Sequence, residues 1–404
     1  MGGVGSRRWA KFSKFLANKG IESHVVTIEY SCIDKLNWSN DVDLPQIHVH
    51  RLKPEIPPCF LKVDAWSFSL RLFWFLYRKL FRRKCLDVAD GWEKRAIPLC
   101  HQLIQKEGIR NVIFTGPPHS VNYMGTILKK ENPSINVIQD YRDPWNSSRF
   151  FAYPSAIKSL SLKKRSLEME AAVMEQADKV ITVTRDMEAN LVKEYPQYKA
   201  KVMTIHNGFD PDDYVNGKSP EALPREFNLI YAGIIGQSLE HRGKALERLA
   251  EAIDQLNDDF FRKNLRINIY SDVSIDLFGD SPYFDIFSKV FNFHGFVSPA
   301  ELSIILQQHA YCLSINAPKD PHAFGTKIFD YMAIKKRIFL ISNGGELAGL
   351  LKENNQFVAS YDTDSIKEQL LLMKKDFISP HAEKVDYSQF NLSHLTQKLE
   401  STFL

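Results

Sequence analysis

The sequence has few cysteines and no long apolar run, and these absences exclude several classes of protein. Five cysteines are scattered along 404 residues without a Cys-x-x-Cys pair, at Cys32, Cys59, Cys85, Cys100 and Cys312. An odd, scattered set argues against a disulfide framework and a cysteine zinc site, and fits a reducing compartment. Without about 18 consecutive apolar residues, or an apolar core near the N-terminus, we predict neither a transmembrane helix nor a signal peptide.

An excess of charge of one sign is also lacking. The chain has 52 Lys and Arg against 48 Asp and Glu, a formal net charge of +4, so we expect no nucleic-acid partner. The sequence contains no Gly-x-Gly-x-x-Gly, no Gly-x-x-x-x-Gly-Lys-Ser/Thr and no Gly-x-Ser-x-Gly. These absences argue against a dinucleotide fingerprint, a P-loop and a serine-hydrolase elbow.

What the sequence does have is an alternation of strand and helix patterns. Short apolar runs such as Asn111–Thr115 and Phe227–Ala232 predict strands, and helical patterns such as Lys244–Leu256 follow them. This alternation predicts an α/β fold with parallel sheets. We predict two Rossmann-like lobes, residues 1–209 and 226–385, joined by a polar linker at 210–225. A final amphipathic helix falls within residues 386–404.

The N-terminal lobe shows one irregularity. The glycine loop Gly2–Gly5 opens a helix capped by Ser6, although such a loop normally follows a strand. We therefore expect the lobe to lack its first strand, through a mis-set start or a truncation.

Loops after strands are the candidate sites, because parallel sheets bind ligands beyond the carboxyl ends of their strands. In the N-terminal lobe, His119 follows Gly116-Pro117-Pro118, and Ser120 can cap the next helix. Arg142 and Asp143 follow another strand, in a dense polar cluster that begins at Asp140. The alternatives are a surface histidine beside a cap and an internal ion pair.

Two loops of the C-terminal lobe suit an anion. Arg242 and Lys244 follow the glycine loop Gly233–Gly236, and an arginine can bind a diphosphate bidentately. Lys327 lies in the first turn of a helix that Gly325 and Thr326 open, where the helix dipole disfavours a cation, so a bound anion would rationalise it. The alternatives are a solvated charged turn and a surface pair between Lys327 and Asp330.

The segment Trp66–Lys84 combines apolar and basic positions. As a helix it is typical of an element that lies on an anionic membrane surface. The alternative is a lobe helix packed against the sheet, with a basic end. Its apolar positions are Leu72, Phe73, Phe75, Leu76, Leu80 and Phe81, and its basic ones are Arg71, Arg78, Lys79, Arg82, Arg83 and Lys84.

Taken together, these motifs resemble a GT-B fold glycosyltransferase, in particular the bacterial family 4-like enzymes that build surface polysaccharides. The resemblance covers nearly the whole chain, and the motifs that carry it are Gly2–Arg7, Gly116–Pro118, Tyr141–Trp145, Asn207–Asp210 and Gly325–Tyr331. It implies transfer of a sugar, with retention, from a nucleoside-diphosphate sugar to an acceptor hydroxyl on a lipid-linked or surface glycan. It also implies that the last helix crosses back to the N-terminal lobe.

The resemblance further implies roles for single residues. Asp143 would orient the acceptor, with His119 and Arg142 beside it. Arg242 and Lys327 would stabilise the departing diphosphate, so we expect no metal ion and no cofactor. The donor-binding set would comprise Gly3, Gly236, Arg242, Lys244, Gly295, Phe296, Val297, Gly325, Thr326, Lys327 and Asp330.

One departure from the family pattern leaves other functions open. His322 stands eight positions before Asp330, where the family has a glutamate. The alternatives are a catalytically inactive nucleotide-binding partner of a polysaccharide assembly complex and a GT-B sugar-nucleotide epimerase. In each case we expect a cytoplasmic protein, peripheral on the inner face of the cell membrane.

Overall fold

The computed structural model describes residues 6–29, 38–60, 67–146, 159–214, 226–236, 242–318, 320, 322–380 and 385–404. The chain divides into two compact units, each of the α/β class with parallel strands. The N-terminal unit comprises residues 1–206 together with Leu395–Leu404, and the C-terminal unit comprises Asn207–His394. Most of the predicted linker, at 215–225, lies outside the described residues.

The strands of the N-terminal unit lie in two sheets. β1 and β2 form a parallel pair, and β3, β4, β5 and β6 form a four-stranded parallel sheet in that order. Among the described residues, no strand precedes α1. The elements are α1 (Arg7–Ala17), β1 (Ser23–Ile28), β2 (Ile47–Leu52), α2 (Phe68–Phe81), α3 (Glu93–Glu107), β3 (Asn111–Gly116), α4 (Ser120–Glu131), β4 (Asn136–Tyr141), α5 (Leu160–Gln176), β5 (Lys179–Thr182), α6 (Arg185–Glu194) and β6 (Val202–Thr204).

β4 is the best buried strand of this unit. All six of its residues are buried, because β3 and β5 flank it and helices cover the sheet. Tyr141 and Trp145 pack with Val173 of α5, while Val137 packs with Leu128 of α4 in a second cluster. The end of the chain also belongs to this unit: the Asn136 amide donates to the Thr402 carbonyl at 2.7 Å, and Lys19 pairs with Glu400 at 2.6 Å.

The C-terminal unit has a single six-stranded parallel sheet, in the order β12-β11-β10-β7-β8-β9. This is the doubly wound arrangement, and its strand order reverses between β7 and β10. The elements are β7 (Asn228–Ala232), α7 (Lys244–Leu256), α8 (Asp259–Asn264), β8 (Arg266–Tyr270), α9 (Phe284–Val290), β9 (Phe291–His294), α10 (Pro299–Gln307), β10 (Tyr311–Ile315), α11 (Lys327–Ala333), β11 (Arg337–Ile341), α12 (Glu346–Glu353), β12 (Phe357–Ala359) and α13 (Thr363–Ile378), followed by α14 (Leu392–Glu400), whose last part belongs to the N-terminal unit.

The sequence explains this unit in simple terms. β7 reads Asn-Leu-Ile-Tyr-Ala and is buried throughout, as a central strand covered on both faces must be. α7 buries Leu246, Leu249, Ala250 and Ile253, whose spacing places them on one face of the helix. No helix among the described residues of either unit is both long and apolar enough to cross a bilayer.

Candidate functional site

Arg242 lies at the point where the strand order of the C-terminal sheet reverses. Its Nε donates to the carbonyl of Ile315, at the end of β10, at 3.2 Å, and its Nη1 donates to the carbonyl of Ile234, after β7, at 3.0 Å. Both partners are neutral, and among the described residues no carboxylate forms an ion pair with this guanidinium. A positive charge is thus fixed where such sheets bind ligands, and it is left for an anion.

The loop after β7 is held in place by Asp272. Its Oδ1 accepts hydrogen bonds from the N–H of Ile235 at 2.9 Å and of Gly236 at 3.4 Å. Burial raises the pKa of this carboxyl, but the hydrogen bonds outweigh burial and lower the pKa overall. Gly236 has a φ of +89°, a conformation that favours glycine. Asp272 was not among the predicted residues, although its position near the end of β8 follows the same rule that pointed to Arg242.

Lys327 and Asp330 form the ion pair that the sequence analysis gave as an alternative to a bound anion. The ammonium of Lys327 lies 3.4 Å from Asp330 Oδ2, and the Tyr214 hydroxyl donates to Asp330 Oδ1. Asp330 is buried, whereas the side chain of Lys327 keeps about a third of its surface exposed. The cation is therefore available to a ligand, while both oxygens of the acid are engaged within the unit. The predicted contact of Asp330 with the donor would have to compete with these partners.

The remaining predicted donor residues lie at the carboxyl end of the same sheet. Gly325 and Thr326 precede α11, and Lys244 is exposed at the first position of α7. Gly295, Phe296 and Val297 follow β9, and Phe296 exposes 66% of its surface. Parallel strands bring all these loops to one edge. Gly3 lies outside the described residues.

In the N-terminal unit, Arg142 supports the Gly-Pro-Pro turn. Its backbone N–H donates to the carbonyl of Gly116 at 2.9 Å, and its guanidinium donates to the carbonyls of Gly116 and Pro117. A Cβ on Gly116 would lie 1.9 Å from Asn122 Oδ1, so the turn requires glycine there. Arg142 therefore fixes the loop that carries His119.

The expectation that His119 is accessible beside the acceptor is wrong, because its side chain is buried. The residue is 1% exposed, and its ring stacks on Trp145 at 5.0 Å between centroids with an interplanar angle of 5°. Burial lowers the pKa of His119 to about 4, so the imidazole is neutral at pH 7. Trp145 covers one face of the ring, and Nδ1 lies 3.2 Å from Asn122 Oδ1, so the imidazole is not open to solvent. Ser120 does not cap α4 either: it is the first helical residue, and its hydroxyl donates to Asp87.

Asp143 is a half-buried carboxyl directly after Arg142. Burial raises its pKa, and the neighbouring Arg142 opposes that shift. The side chain of Asp143 is only partly buried, so it is not closed off from solvent. Its role in orienting the acceptor stays a prediction.

The comparison with protein families decides the class of the chain. The model of Glycosyltransferase Family 4 matches residues 1–213, over half of the chain. The chain belongs to this family. It is a glycosyltransferase, and its two α/β units are the Rossmann-like lobes of the GT-B fold.

Solved structures agree with the fold of this glycosyltransferase. A glycosyltransferase from Rickettsia africae matches with a TM-score of 0.61 and 14% identity, over 99% of this chain and 94% of that one. Anabaena HepE, in complex with UDP and glucose, matches with a TM-score of 0.56 and 12% identity, over 99% and 92%. The UDP-GlcNAc 2-epimerase of Methanocaldococcus jannaschii matches with a TM-score of 0.54 and 10% identity, over 98% of this chain and 96% of that one. No curated protein sequence gave a significant match.

A second arginine of the glycosyltransferase, missed by the sequence analysis, has a structural role. Arg8 of α1 forms an ion pair with Asp140 at 3.1 Å and donates to the carbonyls of Ile205 and His206. Asp140 is completely buried at the end of β4, and Trp9 and Thr115 each donate to its Oδ2 at 2.7 Å. The ion pair of Asp140 is therefore formed with a residue 132 positions away, and not within the cluster as one alternative had it.

Proposed function

We propose that this glycosyltransferase moves a sugar from a nucleoside-diphosphate sugar to an acceptor hydroxyl, and that the C-terminal unit binds the donor. The observation that carries this proposal is the unneutralised guanidinium of Arg242 at the switch point of that unit's sheet. A diphosphate is the part of the donor that needs such a cation. The UDP and glucose named for the HepE structure support a nucleotide-sugar ligand for this fold.

The fixed geometry of Arg242 suits the departure of a diphosphate. Negative charge grows on the leaving group in the transition state, and donors that are already oriented stabilise it without reorganisation. Two backbone carbonyls hold Arg242 in one orientation. Lys327 adds a second cation and Lys244 a third at the same edge of the sheet. With this charge in place, we propose that transfer requires neither a metal ion nor a cofactor.

Asp143 is our candidate for the residue that interacts with the acceptor hydroxyl. Its raised pKa makes it a better proton acceptor than an ordinary carboxylate, and Arg142 keeps it beside the Gly-Pro-Pro turn. We propose that Asp143 orients the acceptor hydroxyl and that the acceptor is a lipid-linked or surface glycan. We propose retention at the anomeric carbon on the resemblance to family 4-like enzymes, and a location at the inner face of the cell membrane.

One observation favours a second candidate function, a nucleotide-binding partner without activity. Both oxygens of Asp330 are engaged by Tyr214 and Lys327, and His322 stands where the family has a glutamate. Such a protein would bind a nucleotide without turning over a donor. The epimerase alternative differs again, because an epimerase would convert the donor without any acceptor.

The test is a thermal-shift titration with UDP, GDP, CDP, ADP and dTDP on the wild type, Arg242→Ala and the control Arg262→Ala. Arg262 is an exposed arginine of α8, in the same unit. Because binding stabilises the folded state by mass action, we expect one nucleotide to raise the Tm. The shift should persist in Arg262→Ala and vanish in Arg242→Ala.

Turnover of the matching nucleotide sugar separates the candidates. We expect Arg242→Ala to lower kcat/KM by well over tenfold, the usual scale for a lost transition-state donor, and EDTA to leave activity unchanged. If the nucleotide raised the Tm of Arg242→Ala as much as that of the wild type, Arg242 would not belong to the donor site. Binding without turnover would favour the inactive partner, and turnover without an acceptor would favour the epimerase.

A further inference from the structure

α2 is a helix without a buried residue. Ser67 caps it by accepting a hydrogen bond from the N–H of Leu70. One face contacts the N-terminal unit through Phe60, whose ring lies 4.7 Å from that of Trp74 and 5.3 Å from that of Tyr77. The helix is therefore attached along one side and does not pack into the core, contrary to the alternative of a lobe helix packed against the sheet.

The outer side of α2 carries an exposed apolar stripe, defined here as Phe68, Leu72, Leu76 and Leu80. These residues recur at every fourth position, so they form one ridge along the helix. They expose 84%, 50%, 44% and 71% of their surfaces, respectively. Phe75, 61% exposed, lies beside the ridge. Contiguous exposed apolar surface of this kind marks an interaction site.

The charge around the stripe is of one sign. Residues 67–84 contain six Lys and Arg and no Asp or Glu, a formal charge of +6. The rest of the chain then has 46 basic and 48 acidic residues, a net charge of −2. The positive charge of the protein is thus concentrated on a single helix and its end.

An apolar stripe beside basic residues favours an anionic surface, and not a second copy of the chain, as the partner of α2. A symmetric dimer through the stripe would bring two segments of charge +6 together, and neither segment contains an acidic residue that could pair with the other. A bilayer with anionic lipids offers acyl chains for the ridge and phosphates for the basic side chains. We propose that α2 lies in the plane of an anionic bilayer, with the stripe inserted.

The end of α2 connects directly to the candidate acceptor loop. The carbonyl of Lys84 accepts a hydrogen bond from Arg165 at 2.7 Å, and Arg165 also pairs with Asp90 at 2.8 Å. Asp87, three residues after Lys84, accepts hydrogen bonds from the N–H and the hydroxyl of Ser120. A docked α2 would hold the loop that precedes Ser120 close to the membrane. If the proposed function holds, this favours an acceptor that is itself anchored in the lipid.

Vesicle sedimentation of the full chain tests the docking. The vesicles consist of phosphatidylcholine alone or of phosphatidylcholine with phosphatidylglycerol. The variants are Leu72→Gln/Leu76→Gln in the stripe and Arg78→Gln/Lys79→Gln beside it. Matched controls are Leu371→Gln/Leu372→Gln on α13, exposed to 47% and 45%, and Lys163→Gln/Lys164→Gln on α5, both exposed.

We expect binding to the anionic vesicles, none to phosphatidylcholine alone, and weakening by salt. The partition coefficient of the stripe variant onto anionic vesicles should be about tenfold lower or more, because two leucine side chains no longer transfer from water into the bilayer. The charge variant should lose about fivefold for each cation. Both controls should bind like the wild type.

Three results would overturn the proposal: no binding, equal binding to both vesicles, or a stripe variant that changes only the oligomeric state in sedimentation velocity. Because the assay uses no sugar donor, its outcome is independent of glycosyl transfer. Failure of the docking and failure of the proposed function can therefore be told apart.

Discussion

Glu170 makes the stability of the N-terminal unit depend on pH. The residue lies on α5, is 1% exposed, and accepts a hydrogen bond from the Tyr195 hydroxyl at 3.4 Å. Burial raises its pKa from the ordinary 4.5 to about 7, and the charge of Glu194 adds to the shift. Hydrogen bonds from Asn146 and Tyr195 oppose the shift without cancelling it. Glu170→Gln replaces the carboxyl by a neutral group of the same shape.

The direction of the effect follows from proton binding. Between pH 4.5 and 7 the folded state keeps the Glu170 proton and the unfolded state releases it, so stability falls as pH rises. With these two pKa values, the free energy lost to Glu170 is under about 1 kcal/mol at pH 5 and about 3 kcal/mol at pH 8. Glutamine removes this loss, so the stabilisation by Glu170→Gln should grow between pH 4.5 and 7 and stay near its full value above pH 7.

Differential scanning calorimetry at pH 5 and pH 8 measures the effect. We expect the Tm of Glu170→Gln to exceed that of the wild type by about 5 to 10 °C at pH 8 and by a few degrees at most at pH 5. The control is Glu175→Gln, an exposed position of the same helix, which should change neither value. Equal gains at both pH values would refute the reasoning, because a gain independent of proton binding would come from packing.

Two further substitutions test the loops. Gly116→Ala should destabilise the protein by about 2 kcal/mol or more in chemical denaturation, because the new Cβ would lie 1.9 Å from Asn122 Oδ1. Gly349→Ala in α12, with nothing within 4 Å of its Cβ, should stabilise it by up to about 1 kcal/mol. Asp272→Ala should weaken nucleotide binding by about tenfold, since two backbone bonds to one carboxylate oxygen are lost, with Asp280→Ala as the neutral control. Normal affinity in Asp272→Ala would show that this carboxylate does not position the donor loop.

Local patterns were enough to predict the fold class. The buried run Asn228–Ala232 and the helical spacing of Lys244–Leu256 are each readable from neighbouring residues, so the alternation of strands and helices, and with it the parallel sheet, follows. The rule that ligands bind after strand ends then pointed to Arg242 and the loop around Gly236. The same rule, applied after β8, would have pointed to Asp272 as well.

The predictions for His119 and Asp140 depended on partners distant in the sequence. Asp140 is neutralised by Arg8 on the first described helix, and His119 is covered by Trp145, whose ring returns over it from the next loop. Neither contact leaves a periodic signal, because nothing nearby in the chain indicates which side chain the fold will bring together. A histidine after a strand thus resembles a catalytic one until its burial is known.

The contrast between Arg8 and Arg242 is the strongest argument for where the donor binds. Both guanidiniums lie at strand ends, and each donates to two backbone carbonyls. Those of Ile205 and His206 accept from Arg8, and those of Ile234 and Ile315 accept from Arg242. Arg8 also has the buried carboxylate of Asp140, so its charge is balanced inside the unit and its task is to join elements. Arg242 has the same backbone support without an acidic partner in the described part of the chain. Holding an arginine rigid while leaving its charge unbalanced contributes little to stability, and it is the arrangement that a diphosphate ligand would complete.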